Sequence, residues 1–140
     1  MRYKKENTGY LIVLDVGEEF VDSIIDFAKK EGIEGGVFYG VGAMNLAEIG
    51  FFDLEKKEYI KKNIEGQREL LSLKGNLAHD NDGNPIVHCH VIFGKADFAT
   101  EGGHLFKGVV SVTCEIFFQQ TSMIGRVFDS KTGLKLWQLS

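Results

Sequence analysis

Three of the four histidines in this 140-residue sequence stand where they could bind one metal ion. His88 and His90 are two residues apart in the apolar run 86–93. Alternate residues of a β-strand face the same way, about 6.5–7 Å apart, so two imidazoles at this spacing can reach one ion at about 2.0–2.1 Å. In the structural alternative, each buried histidine is neutral and hydrogen-bonded to backbone or to a carboxylate. For this pair alone the two interpretations are equally good.

The third histidine, His104, directly follows Gly102 and Gly103. Two glycines predict a turn that can approach the sheet closely, although they are also typical of an ordinary hairpin. Three histidines with an open fourth position form the arrangement of catalytic zinc sites, in which the metal lowers the pKa of bound water or polarises a carbonyl. The pattern therefore predicts a divalent-metal site with zinc as first candidate, although imidazole also suits nickel, copper and iron.

Glu115 is the carboxylate that the sequence best places to assist such a site. It lies on the polar face of a strand predicted from Leu105 to about Gln120, where it could orient a histidine or act as a general base. A surface position without a role is the more common explanation of an isolated glutamate. Cys89 points away from its histidine neighbours by alternation, which argues against a Cys–His nucleophile pair. The apolar face of the long strand is predicted to comprise Phe106, Val110, Val112, Cys114, Ile116 and Phe118.

The elements that must position these residues are mostly short strands. Helical spacing of apolar residues predicts one helix over 18–31, with acidic residues at its beginning, lysines at its end and Gly32 as its stop. Strands are predicted at 10–16, 35–41, 47–54, 58–64, 69–77, 86–93, 105–120, 124–128 and 134–137, with Gly40 to Ala43 as a bulge or tight bend. Hairpin-length connections cannot join parallel neighbours. We therefore expect a single α+β domain over 1–140, a mostly antiparallel sheet packed with one main helix.

The composition is that of an ordinary globular protein, with 44% hydrophobic and 26% charged residues. No apolar run approaches the roughly 18 residues of a membrane span, and the first residues lack the apolar stretch of a secretory signal. We therefore expect a cytoplasmic protein that does not associate with membranes. Twenty acidic against 16 basic residues give a net charge of −4, which disfavours a sequence-independent grip on nucleic acid.

Taken together, the motifs resemble the plants and prokaryotes conserved (PPC) domain family over nearly the whole chain. In order, they are Gly40-Val41-Gly42-Ala43, Gly50-Phe51-Phe52-Asp53 with Tyr59, Gly75-Asn76-Leu77, His88-Cys89-His90, Gly102-Gly103-His104-Leu105, Gly108 and Thr113-Cys114-Glu115. The resemblance implies a compact fold with an antiparallel sheet, assembled as a homotrimer. In stand-alone prokaryotic members it implies a metal bound by histidines, here His88, His90 and His104.

The resemblance also suggests DNA binding as a function, because in plants the PPC domain is coupled to an AT-hook. An Arg-Gly-Arg-Pro hook is absent here, since the single proline, Pro85, follows Asn84 in a turn signal. Two functions remain open. The first is a homotrimer that binds a divalent metal and acts on a small polar molecule through activated water, with Glu115 assisting. The second is a non-catalytic DNA-binding or regulatory scaffold module with structural histidines.

Overall fold

The computed structural model describes residues 1–139, which contain one helix and eight strands. In chain order they are β1 (Arg2–Glu6), β2 (Gly9–Leu14), α1 (Phe20–Glu31), β3 (Gly36–Asp53), β4 (Glu58–His79), β5 (Pro85–Gly94), β6 (Thr100–Gln120), β7 (Gly125–Asp129) and β8 (Leu134–Gln138). The pairings are antiparallel apart from one parallel bridge between β4 and β7. The expected antiparallel sheet with one helix is confirmed, but strands predominate so strongly that α+β describes the fold only roughly.

Two pairs of predicted strands are each one continuous strand. β3 joins the predicted segments 35–41 and 47–54, and β4 joins 58–64 and 69–77. Register shifts between Gly40 and Gly42, and between Met44 and Leu46, bend β3 without ending it. The bulge predicted at Gly40 to Ala43 is therefore confirmed. β1 escapes prediction because its sequence, RYKKE, is too polar for a strand signal.

The glycine pair before His104 is not a turn, so that expectation is wrong. Gly102 and Gly103 lie inside β6, opposite Ile92 and Val91 of β5. The chain reverses instead at 95–99, where the Lys95 N–H donates to the Ala99 carbonyl. A Cβ added to Gly102 would lie 2.3 Å from the Val91 carbonyl oxygen, and one on Gly103 would lie 2.7 Å from the Gly50 oxygen. Only glycine permits this close strand approach.

The ladders of four strands form a closed circuit. β3 pairs with β4 on one side and with β6 on the other, and β5 pairs with the same two strands. Because β5 bridges β4 and β6, residues far apart in sequence become cross-strand neighbours. His90 of β5 therefore lies directly opposite His104 of β6.

The helix covers one face of this sheet and closes the core. The Glu19 side chain caps its beginning by accepting from the Asp22 N–H, and Gly32 ends it at φ +65°, as predicted. Phe27 packs edge-on against Phe118 of the sheet, with ring centroids 5.4 Å apart. Among residues 1–139, the structure contains no helix with the length and apolar character that a membrane crossing requires.

The inward face of β6 differs from the predicted one at two positions. Val110, Cys114, Ile116 and Phe118 are buried as expected, but Leu105 is buried in place of Phe106, and Val112 is 56% exposed. Register shifts in the β3–β6 ladder, including one between Glu48 and Ile49, interrupt the alternation of faces. Phe106 consequently lies on the same side of β6 as His104.

Candidate metal centre

Two features of the fold bring three imidazoles together: side chains alternate along β5, and β5 pairs with β6. Cys89 is buried on the core side of β5, so His88 and His90 share the opposite face. The ring centroids of His88 and His90 are 5.2 Å apart, and His104 lies 5.1 Å from the first and 5.6 Å from the second. The three histidines singled out in the sequence therefore form one cluster. His88 and His104 are partly buried and His90 is exposed.

The cluster fits a transition-metal ion. One nitrogen from each ring lies within 4.8 Å of the other two. Tetrahedral coordination at 2.0–2.1 Å places ligand nitrogens about 3.4 Å apart, so small ring rotations would close the gap. His104 Nδ1 is buried without a hydrogen-bond partner among residues 1–139, whereas most buried polar atoms have one. A set of three imidazoles suits zinc, copper, nickel or iron.

Burial keeps two of the imidazoles neutral. It lowers the pKa of His88 to about 4, helped by the positive charge of Arg126 and by His90. Burial likewise lowers the pKa of His104 to about 4, with contributions from the other two histidines, Arg126 and Lys61. Both rings are therefore unprotonated at neutral pH, which is the form that a metal ion needs.

An aromatic wall fixes the His104 ring. Its centroid lies 5.1 Å from that of Tyr59 and 4.6 Å from that of Phe106. Burial raises the pKa of the Tyr59 phenol, which therefore keeps its proton. The Lys61 ammonium lies 4.1 Å above the Phe106 ring and also donates to Glu48. These contacts shield one side of the cluster from solvent, while His90 leaves the other side open.

A buried arginine contacts the cluster, and sequence analysis missed it. Arg126 of β7 is 7% exposed. Its Nη2 donates to Asn76 Oδ1 at 2.8 Å and to His88 Nδ1 at 3.1 Å, and its Nη1 donates to the Lys135 carbonyl at 2.7 Å. Trp137 Nε1 donates to the same Asn76 oxygen at 3.2 Å. One sequence signal was available: in the predicted strand 124–128, Arg126 is two residues from the apolar Ile124 and therefore shares its face.

Glu115 lies elsewhere on β6. It is opposite Val13 of β2 and Val41 of β3, whereas His104 is opposite His90 and Gly50. Glu115 is exposed and lines a groove together with Leu11, Val41 and Leu71. The structure does not bring Glu115 to the histidines, and a catalytic role for it at this site has no geometric support.

The chain is similar to one protein family and to several solved structures. The family model of the Plants and Prokaryotes Conserved domain matches residues 1–122. A plant- and prokaryote-conserved protein from Pyrococcus horikoshii is 39% identical over 99% of this chain and 96% of its own, with a TM-score of 0.87. A metal-containing protein from Archaeoglobus fulgidus is 38% identical over 99% of both chains, with a TM-score of 0.88. A candidate DNA-binding protein from Bacteroides thetaiotaomicron is 28% identical over 98% of this chain and 96% of its own, with a TM-score of 0.93. None of the curated proteins compared with the chain matches it.

Proposed function

Because the chain belongs to the Plants and Prokaryotes Conserved domain family, we propose that it binds a divalent transition-metal ion, with zinc the first candidate, through His88, His90 and His104. The observation that carries this proposal is the convergence of three imidazoles, two of them held neutral, within 4.8 Å. The buried, unpartnered Nδ1 of His104 supports it as well. The metal-containing relative from Archaeoglobus fulgidus, at 38% identity, is consistent with this assignment.

Action on a small polar substrate is the catalytic part of the proposal. A divalent ion on three imidazoles would supply a Lewis acid that activates water or polarises a carbonyl. The chain's own residues would supply the surroundings: Tyr59 and Phe106 hold His104 and exclude water from one side, and Arg126 contributes a fixed positive charge. The exposed His90 leaves a route by which a small molecule could reach the site.

Metal content tests the ligand assignment directly. Untagged protein, incubated with zinc and dialysed, should retain about one ion per chain by mass spectrometry of the elements. A His88→Ala, His104→Ala double variant should retain almost none. His79→Ala is the matched control, because His79 contacts the Glu34 carbonyl outside the cluster. Full metal content in the double variant, or none in the unmodified protein, would contradict the proposal.

We propose further that the chain assembles as a homotrimer, as the resemblance implies. The outer sheet face carries a row of cross-strand neighbours from three strands, Leu11, Phe117 and Tyr39. Leu11 and Tyr39 are 49% and 57% exposed, and Val41 beside them is 53% exposed. A contiguous apolar patch of this kind is typical of a protein interface.

Light scattering after gel filtration tests the assembly. The unmodified chain should elute with three times the mass of one chain, and Tyr39→Glu should lower that mass. Phe128→Glu is the control, because Phe128 is also an exposed aromatic residue, at 66%, but lies on the β7–β8 hairpin. A monomeric mass for the unmodified chain would refute the trimer.

A non-catalytic DNA-binding module is the second candidate, favoured by relatives from Bacteroides thetaiotaomicron and Ralstonia eutropha that are described as candidate DNA-binding proteins. The charges argue against it. The net charge is −4, and the basic side chains of Lys61 and Lys62 are each paired at 2.6 Å, with Glu48 and Glu101. A gel shift that weakens steeply between 50 and 200 mM salt would support DNA binding, and no shift at low salt would remove it.

We also propose that residues 1–140 form one domain, although the family model ends at residue 122. The bonds from Arg126 and Trp137 to Asn76 support this, because they tie the C-terminal hairpin to β4. A single cooperative unfolding transition would agree with one domain, and two separate transitions would not. A cytoplasmic location is part of the proposal, since Cys89 and Cys114 are free buried thiols.

A further inference from the structure

Arg126 is a buried cation that lacks an anionic partner within the described residues 1–139. The residue is 7% exposed, and its side-chain hydrogen bonds go to an amide oxygen, a backbone carbonyl and an imidazole. Its Nε is buried and has no acceptor among the same residues. A buried charge ordinarily has a counter-charge, because desolvation is otherwise uncompensated. The guanidinium is therefore incompletely satisfied by the chain itself.

Metal binding would leave Arg126 less satisfied still. A neutral imidazole has one lone pair and one N–H. In this structure, the lone pair on His88 Nδ1 accepts from Arg126 Nη2 at 3.1 Å. If the metal bound Nδ1 of His88, it would displace Arg126 from that nitrogen. If it bound Nε2 instead, the imidazole proton would be on Nδ1, where it would point at the arginine N–H and could not accept from it. In both cases the Arg126–His88 bond is lost.

The electrostatic consequence is a site with a net positive charge. The three ligands are neutral imidazoles, so a divalent ion beside Arg126 brings two unneutralised cations together. Lys61, a second positive group near His104, is already paired with Glu48. An anion from solution that binds between the metal ion and Arg126 would neutralise part of both positive charges.

The donors that metal binding would leave without an acceptor indicate which anion: Nε has none now, and Nη2 would keep Asn76 but lose His88. Nε and Nη2 lie along one edge of the guanidinium, and two parallel N–H groups match the two oxygens of a carboxylate. Two hydrogen bonds fix the orientation of the guanidinium: Nη1 donates to the Lys135 carbonyl, and Nη2 donates to Asn76. We propose that Arg126 is the recognition residue for a small carboxylate that binds beside the three-histidine site. This inference rests on the proposed metal function.

Cobalt-loaded, untagged protein with acetate as the probe tests the inference. At constant ionic strength, acetate should change the visible cobalt spectrum, and the neutral isostere acetamide should not. Arg126→Gln should keep cobalt but bind acetate at least about tenfold more weakly, since a charge-assisted bidentate contact is lost. Arg2→Gln is the matched control, because it removes an exposed guanidinium paired with Asp15. It should bind acetate like the unmodified protein.

Three outcomes would count against the inference in distinguishable ways. Failure of the unmodified protein to take up cobalt would overturn the metal function and this inference together. Normal cobalt uptake with equal acetate affinity in Arg126→Gln would overturn the carboxylate site alone. If circular dichroism shows that Arg126→Gln does not fold, the unmodified protein decides the question. Acetate should then slow the loss of cobalt to a chelator relative to acetamide, and equal rates would refute the site.

Discussion

Replacing Gly102 with alanine tests how the glycine pair positions His104. The added Cβ would lie 2.3 Å from the Val91 carbonyl oxygen, well inside the 3.0 Å that real Cβ atoms keep. The clashing atom is a backbone oxygen and not the end of a flexible side chain, so β5 and β6 must separate by about 0.7 Å or more. Overpacking of this kind costs about 1–3 kcal/mol. With about 2.1 cal/mol/K of unfolding entropy per residue, that lowers Tm by about 3–10 °C.

The same separation should weaken metal binding. Gly102 lies opposite Ile92, two residues before the position at which His104 faces His90. Calorimetric unfolding of the metal-free protein measures the first effect, and zinc titration measures the second. Gly125→Ala is the control, because within residues 1–139 no atom outside Gly125 and its two chain neighbours lies within 4 Å of the added Cβ; it should shift Tm by no more than about 2 °C. Unchanged Tm and unchanged zinc affinity in Gly102→Ala would refute the role of close strand approach.

Three further predictions concern the cluster, one turn and the cysteines. At free zinc about 100 times its Kd, the unmodified protein should gain about 2.7 kcal/mol, or about 9 °C in Tm. His104→Ala should lose nearly all of this gain and His79→Ala should keep it; a full gain in His104→Ala would contradict the ligand assignment. Backbone N–H groups of the 80–84 turn and a lysine hold the pKa of the Asp80 carboxyl at about 2, below its ordinary 3.8. The stability from this carboxylate is therefore present above pH 4 and lost as pH falls from about 4 to 2. Urea unfolding should show a smaller loss of stability across this range in Asp80→Ala, and an unchanged profile would contradict it. Burial raises the pKa of Cys89 and Cys114 to about 12. Neither thiol should react with a disulfide reagent at pH 8 until urea unfolds the chain, and fast labelling of native protein would show that they are accessible.

Local pattern was sufficient for the features that depend on neighbouring residues. The helix prediction over 18–31 differs from α1 by two residues at its beginning, because amphipathic spacing and a glycine stop act within a few residues. The same holds for β5, where alternation places Cys89 in the core and His88 with His90 on the other face. The breaks predicted within β3 and β4 were wrong because a bulge and a turn give similar glycine and polar signals.

Residue order alone was enough to predict a β-rich protein with one helix and with two histidines on one face of a strand, because strand alternation and helical spacing are local patterns. Strand pairing established three features that residue order did not predict: β5 bridges β4 and β6, Glu115 lies away from the histidines, and Arg126 contacts His88. It also brought the predicted third ligand, His104, opposite His90. Those outcomes depend on register and on bulges. A single added residue in a ladder reverses which side chains face inward, and this effect is set by contacts between strands rather than by residues adjacent in the chain.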